Sequence, residues 1–185
     1  MNATSDVQQH DTQNGVGKGF VVPIISWLIV AWTCFIFLGS LPYKFTNHPD
    51  TQHIFTTIGE WMKGILGNTI GDLFSSFGAY GVGVVELLTS ILLLSPIVYW
   101  LKNRGSQGAD TERFRSRVHA IGGALASMVM AGAAFFHIFT PLGIAVLHKG
   151  ESDGGSLFRA AVSILILGIV MFFINKRRGF TNEVQ

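Results

Sequence analysis

The sequence predicts an all-α integral membrane protein: a four-helix bundle with an additional amphipathic helix in the long first loop. Three observations carry this. Apolar runs of membrane length recur over residues 20–41, 77–101, 117–140 and 157–174, and a spanning helix needs about 20 apolar residues. Charged residues make up 13% of the chain, against about 25% in an average soluble domain. The runs are also too long for membrane β-barrel strands, which alternate over roughly ten residues. The length of 185 residues fits one domain. The net charge of +2 is too small to argue for nucleic acid.

Taken in order, residues 1–19 are polar and aperiodic and read as a disordered tail. They lack the positive n-region and small-residue cleavage site of a secretory signal. The first span, 20–41, carries no charge, and Pro23 sits in its first turn, where a missing N–H is harmless. Gly39, Ser40 and Pro42 close it, and Tyr43 and Lys44 follow. The connection 45–76 turns at 47–50, with Asp50 or Thr51 the expected N-cap. Ile54, Phe55, Ile58, Trp61, Met62, Ile65 and Leu66 then recur at helical spacing. They form a short amphipathic helix, lying on the membrane surface or capping the bundle, and Gly67, Asn68, Gly71 and Asp72 end it. The second span is 77–101. The third, 117–140, is rich in small residues, which let helices approach closely. The fourth, 157–174, stops at Lys176, Arg177 and Arg178, and 179–185 form a second polar tail. The four-span membrane domain is thus 20–178. The lone Cys34 excludes an intrachain disulfide and any CxxC motif.

Four spans put both termini on one side. Lys18, Lys102, Arg104, Arg113, Arg115, Arg117 and the three C-terminal basic residues then share a side, nine against Lys44, Lys63, Lys149 and Arg159. The positive-inside rule makes the nine cytoplasmic. Anionic-lipid binding is the sharper alternative for this basic cluster.

Glu86 is the single ionisable residue inside the second span. A charge at a helix centre costs about 2.5–3.5 kcal/mol on insertion scales, so Glu86 is protonated, paired or turned to a polar cavity. Ala79, Gly83 and Ser90 share its face and admit a neighbouring helix. Lys44, at the outer end of the first span, is the expected partner, either fixing helix register or serving a function. His137, near the outer end of the third span, is a hydrogen-bonded helix-end histidine or a third member of an outer-half polar pocket. His119 lies eighteen residues before it, five turns along the same face. A haem would need a further axial ligand that no other span offers. The spacing of His48, His53, Glu60, His137 and His148 matches no metal motif, so no metal site is expected. The tryptophans and tyrosines near the span ends read as an interfacial belt. Walker, HExxH and GxGxxG signatures are absent.

A first span closing on Gly39 and Lys44-Phe45, an amphipathic loop helix, and a second span reading Gly83-x-x-Glu86 before a Leu-rich run resemble the DoxX-like family of four-span membrane proteins. The resemblance covers roughly residues 20–175 and rests on short motifs. The Gly39-to-Lys44 interval, with Pro42 inserted, is longer than the family's Gly–Lys arrangement. It implies a four-helix bundle in a bacterial cytoplasmic (inner) membrane. Some relatives are membrane subunits of thiosulfate:quinone oxidoreductase, and others serve redox maintenance or maturation of exported enzymes.

The leading expectation is an accessory subunit of a membrane redox system, linked to a quinone or a small sulfur compound. Glu86, Lys44 and His137 are its catalytic candidates, and Glu86, Thr140 and Tyr43 its ligand-binding candidates. Its partners are the lipid bilayer and a membrane protein or a second copy of the chain. The alternatives are an assembly factor or scaffold gripping partners through small-residue helix faces, and a small transporter. The sequence decides neither for nor against an enzyme.

Overall fold

The computed structural model describes residues 3–103 and 108–180, with side chains from residue 21 onward. Five helices fill it: α1 (Ala3–Phe45), α2 (Pro49–Leu66), α3 (Asn68–Lys102), α4 (Ala109–Phe139) and α5 (Ser156–Phe180). Four of them contain stretches long and apolar enough to cross a membrane: Val21–Phe45, Asn68–Lys102, Ala109–Phe139 and Ser156–Phe180. α1 packs on α3 and α5, and α4 packs on the same two, so the four form a ring with α1 and α4 across a diagonal. Leu28, Phe35, Leu88, Ile91, Ile138 and Phe173 are all more than half exposed. That is the surface expected of helices whose solvent is lipid. The chain is a multi-pass membrane protein.

Each helix extends beyond its apolar run. α1 continues back through the polar residues 3–19, for which the sequence predicts disorder; adding residues to a nucleated helix is far cheaper than starting one. α3 starts nine residues before Phe77 because Ile70, Leu73, Phe74 and Phe77 already repeat at helical spacing. α4 starts at Ala109, so Arg113, Arg115 and Arg117 sit on helix rather than in a loop, with Asp110 and Glu112 favourably placed in its first turn.

α3 is about 52 Å long at 1.5 Å per residue, against a hydrocarbon thickness of about 30 Å. Its first turns therefore project past the bundle, and α2 folds back on them. Gly67 alone links the two helices, at φ 89°, where a side chain would be strained. The N-cap of α2 is His48, not Asp50 or Thr51: its Nδ1 accepts from the Asp50 amide at 3.3 Å, and Pro49 fills the first helical position. Close contact is achieved at Gly59 and Gly71, where a Cβ on Gly71 would lie 2.5 Å from the Gly59 carbonyl. Lys63 then donates to Asp72 and Glu60, both at 2.7 Å, tying α2 to α3.

A small hairpin completes this outer layer. β1 (Leu147–His148) pairs antiparallel with β2 (Glu151–Ser152) across a turn at Lys149 and Gly150, both at positive φ. Ile58, Leu142 and Val146 form the layer's apolar core. His148 Nδ1 donates to Asp50 Oδ1 at 2.7 Å, which holds the Asp50 carboxyl below its usual range. Asp153 fixes the entry to α5, accepting from the amides of Val146 (2.8 Å), Gly155 (2.9 Å) and Leu157 (3.0 Å).

The tightest crossing in the bundle joins α4 to α5. A Cβ on Gly168 would lie 2.3 Å from Ser127 Oγ and 2.6 Å from the Gly123 carbonyl. Ser127 Oγ donates across the gap to the Leu165 carbonyl at 3.0 Å. At the basic end, buried Asn175 donates to Ser26 of α1 at 2.8 Å.

Gly168→Ala should destabilise the bundle by about 1–3 kcal/mol through overpacking. Gly132→Ala, where the added methyl meets nothing within 4 Å, should be neutral or stabilising by up to about 1 kcal/mol. Unfolding in mixed micelles measures both, and equal effects would refute the close-crossing account.

Burial pushes the Asp153 carboxyl up, but the amides of Leu157, Gly155 and Val146 outweigh it and hold it below the ordinary value of 3.8. Such a group stabilises the fold above its unfolded value, and the contribution is lost as pH falls through its folded value. Asp153→Ala should cost about 0.5–2 kcal/mol near neutrality, as lost caps do. The gap between wild type and variant should close as pH drops below 3.8. A gap independent of pH would show that the carboxylate charge is not what matters.

Candidate functional site

Among the described residues, one buried charge pair lies inside the apolar layer, and it joins α1 to α3. Lys44 ends α1 where the apolar run stops, and Glu86 faces it from α3. Lys44 Nζ lies 2.7 Å from Glu86 Oε2, with the glutamate 2% exposed. Ser40, one turn before Lys44, completes a triad. Its hydroxyl accepts from Lys44 Nζ at 2.7 Å and lies 2.8 Å from Glu86 Oε2. The single Ser40 hydrogen is shared between that oxygen and the Phe37 carbonyl, 2.7 Å away.

Local sequence explains why the pair can close. Ser40 and Lys44 stand four residues apart on one helical face. Gly83 leaves room for α1: a Cβ there would be 3.2 Å from the Phe45 ring and 3.5 Å from Lys44 Cβ. Phe45 rests against Tyr80, their centroids 6.4 Å apart, beside the lysine stem. Ser90 donates to the Glu86 carbonyl at 2.8 Å, within α3.

Among the described residues, the triad leaves two groups uncommitted. An ammonium has three donors; Lys44 uses one on Ser40 and one on Glu86. Glu86 Oε2 takes both incoming bonds, and among the described residues Oε1 accepts none. The lysine side chain keeps 14% of its exposure. A donor and an acceptor thus stand side by side at the edge of the apolar layer, able to serve a ligand carrying both an acceptor and a hydroxyl.

The other candidates lie elsewhere. His137 Nδ1 donates to the Gly143 carbonyl at 2.7 Å, and its ring meets Phe158 edge-on at 5.8 Å. It is a hydrogen-bonded helix-end histidine. Its depth can be followed along α4. Leu93 of α3 lies against Gly122 of α4, so Glu86 is level with about residue 129, and His137 is about 12 Å farther out. The single pocket of Glu86, Lys44 and His137 that the sequence allows is therefore not formed. Thr140 is the C-cap of α4, donating to the Phe136 carbonyl at 2.6 Å and accepting from the Leu142 amide at 3.2 Å. The Tyr43 ring is 51% exposed and meets His48 edge-on at 4.9 Å. Ser40, which the sequence places only as a helix-closing residue, belongs to the site; its four-residue spacing from Lys44 is the signal that points to it.

The small-residue face of α4 is also spoken for. A Cβ on Gly122 would lie 2.4 Å from Leu93, and one on Gly123 2.7 Å from the Gly168 carbonyl. Those glycines pack α3 and α5 within the chain and do not present a surface to partners. Among the described residues, no three His, Cys, Asp or Glu side chains are grouped to hold a metal ion. Comparison with protein-family models, with curated proteins and with solved structures gave no match.

Removing one member of a buried ion pair costs about 3–5 kcal/mol, whereas removing both costs far less. Lys44→Met and Glu86→Leu should each destabilise on that scale, and the double variant should fall well short of their sum. Additive costs in a double-mutant cycle would mean that the two charges do not depend on each other.

Proposed function

We propose that this protein is a DoxX-like accessory subunit of a membrane redox system in a bacterial cytoplasmic membrane. Its ligand is the polar head of a quinone or a small sulfur-containing anion, held at Ser40, Lys44 and Glu86. The observation that carries this reading is the buried pair with its uncommitted donor on Lys44 and acceptor on Glu86. Lys44 attracts an anionic oxygen or a quinone carbonyl, and Glu86 Oε1 accepts a ligand hydroxyl and exchanges its proton. The short motifs around Gly83, Glu86 and Lys44-Phe45 support the family assignment. The excess of basic residues at one end supports both termini being cytoplasmic, with the triad in the outer half. A redox partner subunit is part of the proposal, because none of these side chains is an electron carrier.

The reading is tested on protein extracted gently with its native lipids. Wild type should copurify with a quinone, a sulfur-containing ligand or a redox partner, and Glu86→Gln should lower ligand occupancy roughly tenfold, the worth of one charge-assisted hydrogen bond. Wild type carrying neither ligand nor partner, or Glu86→Gln retaining full occupancy, would remove the redox reading.

A further inference from the structure

At the opposite, basic end of the bundle, a cavity of about 620 Å³ opens between α1, α3 and α4. Trp27, Pro96, Ile97 and Trp100 give it an apolar lining, and Glu112 and Arg115 a charged one. This volume is within the range of about 300–1,000 Å³ typical of ligand sites. Its charged side is built rather than incidental. Arg115 is only 6% exposed. Its Nε donates to Glu112 Oε2 at 3.1 Å, and its Nη2 contacts Glu112 Oε1 and, at 3.3 Å, Ser116 Oγ. Nη1 lies 3.5 Å from Nδ1 of the fully buried His119. A guanidinium carries five N–H donors, so among the described residues one on Nη1 is left over.

Basic side chains also converge on this side of the cavity. Arg178 Nη1 approaches the same Glu112 carboxylate at 3.9 Å, so one negative group is set between two guanidiniums. The cavity sits where α3 reaches Trp100 and then Lys102, the order of groups found at a membrane interface. Ile97 and Leu101, one turn apart and both 42% exposed, continue the apolar lining onto the lipid-facing surface. A ligand that matches all of this has a negative head and an apolar tail leading into the bilayer.

We propose that this cavity binds the head-group end of an anionic phospholipid, with Arg115 meeting the phosphate and Trp27, Ile97 and Trp100 covering the start of the acyl chains. The site is separate from the Lys44–Glu86 triad, and either can fail without the other.

The test is native mass spectrometry of the full chain in detergent, offered equal amounts of phosphatidylglycerol and phosphatidylcholine with matched chains, and separately inorganic phosphate. Phosphatidylglycerol should be retained over phosphatidylcholine roughly tenfold, as expected for one or two basic groups, and inorganic phosphate should not displace it. Ile97→Trp fills the cavity without changing any charge and should bring the preference close to unity. Trp100→Ala opens the same wall, should reduce the preference, and serves if Ile97→Trp does not fold. Lys102→Gln, on the exposed surface, should leave it intact. Equal retention of the two lipids by wild type overturns the proposal. So does a preference that survives the cavity variants, one that disappears with Lys102→Gln, or displacement by a neutral quinone.

Discussion

The attraction between Lys44 and Glu86 decides where α1 sits. Neither charge could remain ionised in hydrocarbon alone, and at 2.7 Å each supplies what the other has lost from water. The pair therefore sets one register between α1 and α3. Below it, Ile29, Val30 and Cys34 of α1 pack on Leu93 of α3 and Met171 of α5. Above it, Phe45 lies over Gly83. The remaining helices are held by a different device, the absence of side chains, where Gly123 and Gly168 bring α4 and α5 almost backbone to backbone. Charge fixes one half of the ring and close backbone approach the other.

Much of this was legible in the sequence, for identifiable reasons. The spans could be read because apolar runs of that length have few soluble uses. The amphipathic α2 could be read because its stripe keeps helical spacing from Ile54 to Leu66. The partnership of Glu86 and Lys44 could be anticipated because an isolated carboxylate in such a run has few places to turn. The helix ends were less legible. Residues 68–76 mix polar and apolar groups and look like a loop until α2 is seen folded against them. The basic stretch 109–117 resembles a connection although it is the first turns of α4.

The candidate site was legible at its charges and not at its margins. His137, Thr140 and Tyr43 are near the pair in sequence terms, since each is at a span end on the same side. Depth separates His137 from it, and local bonding occupies Thr140 in the turn that follows α4. Depth depends on how antiparallel helices are staggered, here on Leu93 meeting Gly122, and no single-sequence pattern encodes that contact. Ser40 was hidden for the opposite reason: its type and position suit a helix end so well that nothing marks it as polar machinery.

α3 runs without a break from Glu86 to the turn that Gly71 shares with α2. Along the axis those two points are about 22 Å apart. A stiff rod of that length works as a pointer: a tilt of about 5° pivoting at the pair displaces the far tip by about 2 Å. A movement of that tip would reach α2, clasped to it through Gly59 and Lys63, and the hairpin that Ile58 and Asp50 join to α2. A small shift at the Lys44–Glu86 contact would in this way be magnified at the layer built on α2, with no bend in α3 itself.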